Sequence, residues 1–332
     1  MAKGNRKIII IYILVLVALY LIVYTVPKLT GALKQTDTLE MGDLQVTQEA
    51  KCYFVRDEQV YTADKSGRLK YLVKEGVRVR KGTKVVELTG DGKVVPEGED
   101  TPKSDYEDQI ATLNQSVEAT GSGTVAAGGV ISYYIDGYEG YFTPENIKKL
   151  DPKELDKINF KSVKTRRDTT LKGEPLFKQM DNNNWNLVCW VTAESIQYYN
   201  KGDKVTVVFP DGDVEAEISE VNQGADDQWQ VVFICHNYYK EFAKTRVVDV
   251  NIVAKEYSGL LVDNKSLTTV DGKPGLMVKD KYGKFQFTRV SVIGTDGEVS
   301  ALKDTVFYDE DGKQLETVKA YDEVLRNPEK GN

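Results

Sequence analysis

The chain has 332 residues, 41% of them apolar and 29% charged, a balance that suits folded domains and leaves room for two or three of them. A formal net charge of −7 argues against a general nucleic-acid binder. One histidine in the whole chain removes most routes to a histidine-built metal site or a Ser-His-Asp triad.

Ile8 to Val26 carry no charge, proline or glycine. As a helix rising 1.5 Å per residue this run spans about 28 Å, close to the thickness of a bilayer core. Tyr24 stands where an interfacial ring is expected, and Pro27-Lys28 ends the run. It is long for a signal peptide and no small-residue cleavage site follows, so residues 8–26 are expected to be an uncleaved transmembrane helix. Lys3, Arg6 and Lys7 precede it. By the positive-inside rule residues 1–7 are then cytoplasmic, and the bulk of the chain lies outside the cell membrane. Residues 27–50 show little periodicity and are expected to form a stalk.

Two half-units of one β-domain follow. The first holds Ser66-Gly67, Lys74-Glu-Gly76 and Lys81-Gly82-Thr-Lys-Val-Val-Glu-Leu88; the second opens at Ser122-Gly123-Thr-Val and closes at Leu171-Lys-Gly173-Glu-Pro-Leu-Phe-Lys178. Neither half can bury its apolar side alone, so each must fold against the other. The spacer between them has a turn-forming stretch at 90–98 and then a segment, 105–119, expected to make about four turns of helix. Tyr106, Ile110, Leu113 and Val117 give it one narrow apolar face. Two short helices are expected at Thr143-Pro144 and Asp151-Pro152-Lys-Glu154, each with an N-cap residue before a proline.

Beyond 185 the pattern is β. Val205/Val207/Phe209, Val214/Ala216/Ile218 and Val248/Val250/Ile252 alternate, with Asp-Gly turns at Asp211, Asp271, Asp296 and Asp311. Thr192-Ala-Glu-Ser, with Ile196, Tyr199 and then Gly202, reads as one short helix.

In order and spacing, these elements resemble the HlyD-type membrane fusion proteins, the adaptor subunits of export machines. Residues 61–88 carry the first half-motif of that family's lipoyl-like barrel-sandwich hybrid domain, and 122–138 with 170–180 carry the second more loosely. Trp185 to Val253 is similar to the family's β-barrel domain. Gly259-Leu-Leu-Val, Val270-Asp-Gly272-Lys-Pro-Gly275 and Phe287-Thr-Arg-Val resemble its membrane-proximal β domain. The resemblance implies a mainly β protein. Its layout is a transmembrane helix at 8–26, a sandwich domain at 51–184 with a helical insertion at 91–119, a barrel at 185–257, and a membrane-proximal domain with a C-terminal tail at 258–332. It also implies a non-catalytic protein that assembles with an integral-membrane transporter (an ABC protein or another permease) and with copies of itself. The spacer departs from the family. About fifteen helical residues reach roughly 23 Å at most, too short to cross a periplasm, so a short form suited to a single-membrane cell is expected. The rival reading keeps this fold but makes the chain a structural scaffold binding wall or cell-division components.

No catalytic, cofactor-binding or metal-binding residue stands out. Lys93 holds the position of a carrier lysine without the sequence context of one. His236 lacks nearby ligand partners, and Glu97–Asp100, Asp226-Asp227 and Asp309–Asp311 lack the alternating spacing of a calcium loop. Cys52, Cys189 and Cys235 are odd in number with no C-x-x-C spacing, which reads as buried thiols and leaves a Cys189–Cys235 bridge open. Tyr133-Tyr134, Tyr138, Tyr141-Phe142 and Tyr238-Tyr239 are the better functional lead: some are expected in the core, and a subset at loop tips would suit contact with a partner.

Overall fold

The computed structural model describes residues 15–17, 19–20, 35–90, 105–113, 117–120, 123–181, 184–237 and 239–328. Of the expected transmembrane segment, 15–17 and 19–20 are helical, and the rest lies outside the described residues. Among the described residues, no helix is long and apolar enough to cross a membrane. The chain folds into two compact units, residues 47–255 and residues 1–46 with 256–332.

The larger unit contains the sandwich and a barrel. The sandwich has one sheet in the order Arg78–Val79, Gly129–Ser132, Pro175–Met180, Glu58–Ala63 and Val117–Thr120, and a second in the order Thr169–Thr170, Gly67–Tyr71 and Val86–Thr89. Tyr61, Val79, Val85, Val86, Val125, Ile131, Leu176 and Phe177 fill the space between. The two half-units interlock through their turns: Gly76 N–H donates to Ile131 O at 2.9 Å, Gly82 N–H to Val125 O at 2.9 Å, and Val85 N–H to Gly123 O at 2.8 Å. Gly123 has to be glycine. Its φ is +62°, and a Cβ there meets Val86 O at 1.8 Å.

The spacer differs from the expected helix. The α-helix covers only Glu107–Thr112, and Leu113 ends it at φ −58°, ψ 107°. Val117–Thr120 is a strand, pairing in parallel with Val60–Ala63. Val117 and Thr120 are β-branched, and an open sheet edge overrides an apolar stripe only four residues long. Of that stripe, Tyr106 is buried and Ile110 is exposed. Residues 91–104 and 114–116, with Lys93 and Glu97–Asp100 among them, lie outside the described residues.

The barrel closes on itself. Lys204–Phe209, Gly212–Gln223, Gln228–Cys235, Trp185–Thr192, Glu40–Val55 and Val247–Asp263 pair in that order, and Thr206–Val208 closes the ring against Asn251–Val253. Alternate side chains point inward, among them Cys52, Phe54, Trp185, Leu187, Cys189, Val207, Ile218, Phe233 and Ile252. The last four residues of Glu40–Val55 are all buried, because there both faces of the strand are covered.

The smaller unit is also β. Thr36–Thr38, Glu323–Leu325, Lys273–Lys279 and Leu267–Val270 form one sheet, with Phe285–Arg289 paired to Lys273–Lys279. Its core gathers Leu39, Leu260, Val262, Leu276, Val290, Leu302, Val318 and Val324. Residues 36–38 and 40–46, expected within a stalk, are strand. Leu44 and Val46 turn inward between exposed neighbours at the two-residue period of a strand, a short pattern that polar residues dilute in the sequence.

Candidate functional site

The sandwich and barrel meet at a buried cluster of charge. Chain passages supply part of it: Arg56-Asp57 leads from the barrel strand Glu40–Val55 into the sandwich strand Glu58–Ala63. Glu58 and Lys178 come from neighbouring sandwich strands, Asp136 and Glu139 from the turn after Tyr134–Ile135, and Arg246 from the residue before the barrel strand Val247–Asp263. All six are buried. Three positive and three negative side chains balance, as a buried set must.

Arg246 is the hub. Its Nε donates to Asp136 Oδ2 at 2.8 Å, its Nη2 to Glu58 Oε2 at 2.6 Å, and its Nη1 to the Phe54 carbonyl at 3.1 Å. The guanidinium lies 5.1 Å from the centre of the Phe142 ring. Lys178 Nζ reaches Glu58 Oε1 at 2.7 Å and Glu139 Oε1 at 3.4 Å. Arg56 Nε is 3.2 Å from Glu58 Oε1, and Arg56 Nη1 donates to Thr245 O at 3.1 Å. Glu139 caps its own turn, accepting from Asp136 N–H and Gly137 N–H, both at 2.9 Å.

The electrostatics divide the acids. Burial alone pushes the Glu58 carboxyl up, but Arg246, Arg56 and Lys178 overcome it and hold the group well below the usual carboxylate range. Asp136 behaves likewise, with burial opposed by Arg246 and Lys178. Burial lowers Arg56 to about 10 against the pull of Glu58. Glu139 goes the other way: burial and the neighbouring Asp136 charge raise it, and Lys178 only partly offsets them. It is the member nearest to taking up a proton.

A second tie crosses the same junction. Residues 138–160, an insertion within the second half-unit, carry the 3-10 helix Pro144–Lys149 and the short α-helix Pro152–Leu155. Asp151 caps the latter by accepting from Lys153 N–H, whereas Thr143 makes no such bond to the former. Phe142, Ile147, Leu150 and Leu155 pack on the outward side chains Tyr53, Val55, Val188 and Val232 of the barrel. Tyr53 stacks on Phe142 at 6.0 Å and meets Trp190 edge-on at 5.9 Å. Buried Gln230 donates to Ile147 O at 2.8 Å. A barrel face that is otherwise wet is thus dry on both sides, and the two domains become one packed body.

That pairing of domains carries the classification. The family model described as "RND related, barrel-sandwich hybrid domain" matches residues 58–181, and the one described as "RND related, beta-barrel domain" matches residues 185–256, together more than half of the chain. The chain belongs to the HlyD-type membrane fusion proteins. This membrane fusion protein is similar to the solved structure of MacA from Actinobacillus actinomycetemcomitans, with 13% identity and a TM-score of 0.40 over 88% of this chain and 99% of that one. ZneB from Cupriavidus metallidurans gives 10% identity and a TM-score of 0.32 over 90% and 94%. The membrane fusion protein Spr0693 from Streptococcus pneumoniae R6 gives 14% identity and 0.28 over 62% and 98%. No curated protein matches the chain.

In this membrane fusion protein part of the aromatic set is core. Tyr133, Phe142 and Tyr239 are buried, Tyr134, Tyr138 and Tyr141 are half-buried, and Tyr238 lies outside the described residues. Tyr133 donates to Val73 O at 2.7 Å, and Tyr239 stacks on Phe209 at 4.2 Å inside the barrel. Tyr133 belongs to the sandwich core and Tyr239 to the barrel core, while Phe142 is carried by the insertion and packs on the barrel wall. Among the described residues of 256–328, Tyr282, Tyr308 and Tyr321 are large aromatics that stand exposed. His236 is exposed, its Nδ1 2.8 Å from Asn184 Oδ1. Asp226 and Asp227 form a turn in which Asp226 pairs with Lys153, and Asp309 accepts from Asp311 N–H and Lys313 N–H. Among the described residues, no three His, Cys, Asp or Glu side chains gather as metal ligands. The sequence reading missed the charged junction. A trace of it exists: Glu58 opens, and Lys178 interrupts, strands that are otherwise uncharged and almost wholly buried.

Proposed function

We propose that this membrane fusion protein is anchored in the cell membrane by residues 8–26, with residues 1–7 in the cytoplasm, and serves an integral-membrane transporter as a non-catalytic, self-associating adaptor outside the membrane. The observation that carries this is the sandwich running directly into the barrel, the two joined by a neutral buried cluster and by the 138–160 clamp. A body so joined holds a fixed spacing and orientation, which an adaptor needs and a substrate-turning enzyme does not. The membership of the chain in an adaptor family supports the same reading.

Deletion of the chain in its own cell is the test. Loss of export of a compound, with normal shape and septation, is expected. Altered shape or septation with every export activity intact overturns the transporter reading in favour of an envelope scaffold.

A further inference from the structure

The barrel core contains three thiols. Cys52 lies on Glu40–Val55, Cys189 on Trp185–Thr192 and Cys235 on Gln228–Cys235, and all three are fully buried. The first two strands are antiparallel neighbours that pair Asn186 with Val55, Leu187 with Phe54 and Val188 with Tyr53. One step further along both strands, Cys189 stands opposite Cys52, and both are free, fully buried thiols. Directly opposed residues of an antiparallel pair have Cα atoms about 4.5 or 5.5 Å apart, within the roughly 4.4–6.8 Å that a disulfide spans. The bridge left open by the sequence is excluded by the same register. Cys235 faces Trp185 while Cys189 faces Val231, which separates the two cysteines by about 13 Å along the strands.

We propose that Cys52 and Cys189 are a cross-strand disulfide site, closed in the exported protein while Cys235 stays a thiol. The cellular part of this rests on the extracytoplasmic placement proposed above. The oxidant is another disulfide, from an exported thiol oxidoreductase or a low-molecular-weight disulfide. One cysteine thiolate attacks it, releasing a thiol and leaving a mixed disulfide. The second thiolate then attacks the mixed disulfide at the cysteine sulfur and displaces the other half as a thiol. Two protons and two electrons leave the chain, and the oxidant ends as two thiols. Both cysteines are sealed once the barrel closes, so the exchange takes place on the folding chain. The product is a lasting staple and not a reversible switch. It joins the two strands between which the whole sandwich is inserted, closing that domain into one covalent loop.

The deciding experiment uses the full-length chain in detergent, unfolded with urea and reductant and refolded in oxidised glutathione. Remaining thiols are then alkylated under denaturing conditions and mapped by peptide mass. A Cys52–Cys189 linked peptide with Cys235 alkylated is expected, so that one thiol is counted instead of three. Three alkylated cysteines in fully refolded protein, or a link that includes Cys235, overturns the proposal. Cys235→Ser is expected to keep the link, and Cys52→Ser to leave Cys189 alkylated.

The same mapping on native membranes, alkylated at lysis, reads the placement alongside protease digestion of intact spheroplasts. A chain digested from outside that still yields three alkylated cysteines overturns the proposal and leaves the placement standing. A chain protected from outside overturns the placement, and the refolding arm still decides the pair.

Discussion

Removing Arg246 is the sharpest perturbation of the junction. In Arg246→Ala the Glu58 and Asp136 carboxylates lose their bonds to Arg246, the 2.6 Å bond to Glu58 Oε2 and the 2.8 Å bond to Asp136 Oδ2, and the Phe54 carbonyl loses its side-chain donor. Both acids are buried, so water cannot replace the lost partner without opening the core. Breaking a buried pair from one side costs about 3–5 kcal/mol, a large share of the roughly 5–15 kcal/mol that holds a domain folded. With a urea slope near the top of the usual range, that loss moves the unfolding midpoint down by about 1–2 M. Urea unfolding of the full chain in detergent, followed by far-UV circular dichroism and tryptophan fluorescence together, reads it. Trp185 in the barrel core and Trp190 under the insertion report the two sides of the barrel wall. A shift below about 0.3 M with unchanged slope would refute the reasoning, since it would mean the cluster is already hydrated. Lys153→Ala, which breaks a solvent-exposed pair with Asp226, is the control expected to leave the midpoint in place.

Other expectations follow from the same geometry. Burial and the Asp136 charge raise the Glu139 pKa, so its ionised form costs stability; that cost eases as pH falls through its raised value. Glu58 and Asp136 are depressed, so their stabilisation is intact above the ordinary carboxylate pKa and is lost only as pH falls through their lowered values. Melting temperature is therefore expected to rise as falling pH protonates Glu139 and to drop once Glu58 and Asp136 take up protons, and Glu139→Gln to flatten that rise; an unaltered profile in that variant contradicts the assignment. Phe142→Ala removes the ring between Tyr53, Phe160 and Arg246 and is expected to cost about 3–5 kcal/mol, with limited proteolysis cutting first within 138–160. Gly123→Ala forces a Cβ onto Val86 O at a positive φ and is expected to cost at least about 2 kcal/mol, read as loss of soluble, protease-resistant sandwich.

What the sequence made legible is what is local. Lys-Gly turns before strands, and Ser-Gly before Thr-Val, mark places where the backbone needs glycine, and Gly76, Gly82, Gly123, Gly173 and Gly202 all take positive φ. Strict alternation at Val205/Val207/Phe209 marked a barrel strand because one face is core and the other wet there. The junction was not legible because its members meet only in the fold: Arg246 lies 110 positions from Asp136 and 188 from Glu58. A charged residue in isolation reads as surface. The tyrosine clusters were legible only in part for a related reason, since Tyr133 and Tyr239 enter the sandwich and barrel cores and Phe142 is buried where its own insertion meets the barrel, which only the fold decides. The 105–119 segment misled because a short apolar stripe fits a helix until a neighbouring strand offers it an edge.

Work as an adaptor to a membrane transporter, as proposed for this chain, requires physical partnership in the membrane, and cross-linking in its own membrane reads that partnership. Full-length protein, cross-linked in intact cells, solubilised and captured, is expected to bring down an integral-membrane transporter together with further copies of itself. Capture of wall-synthesis or division proteins with no transporter, from a chain that remains monomeric, would contradict the account.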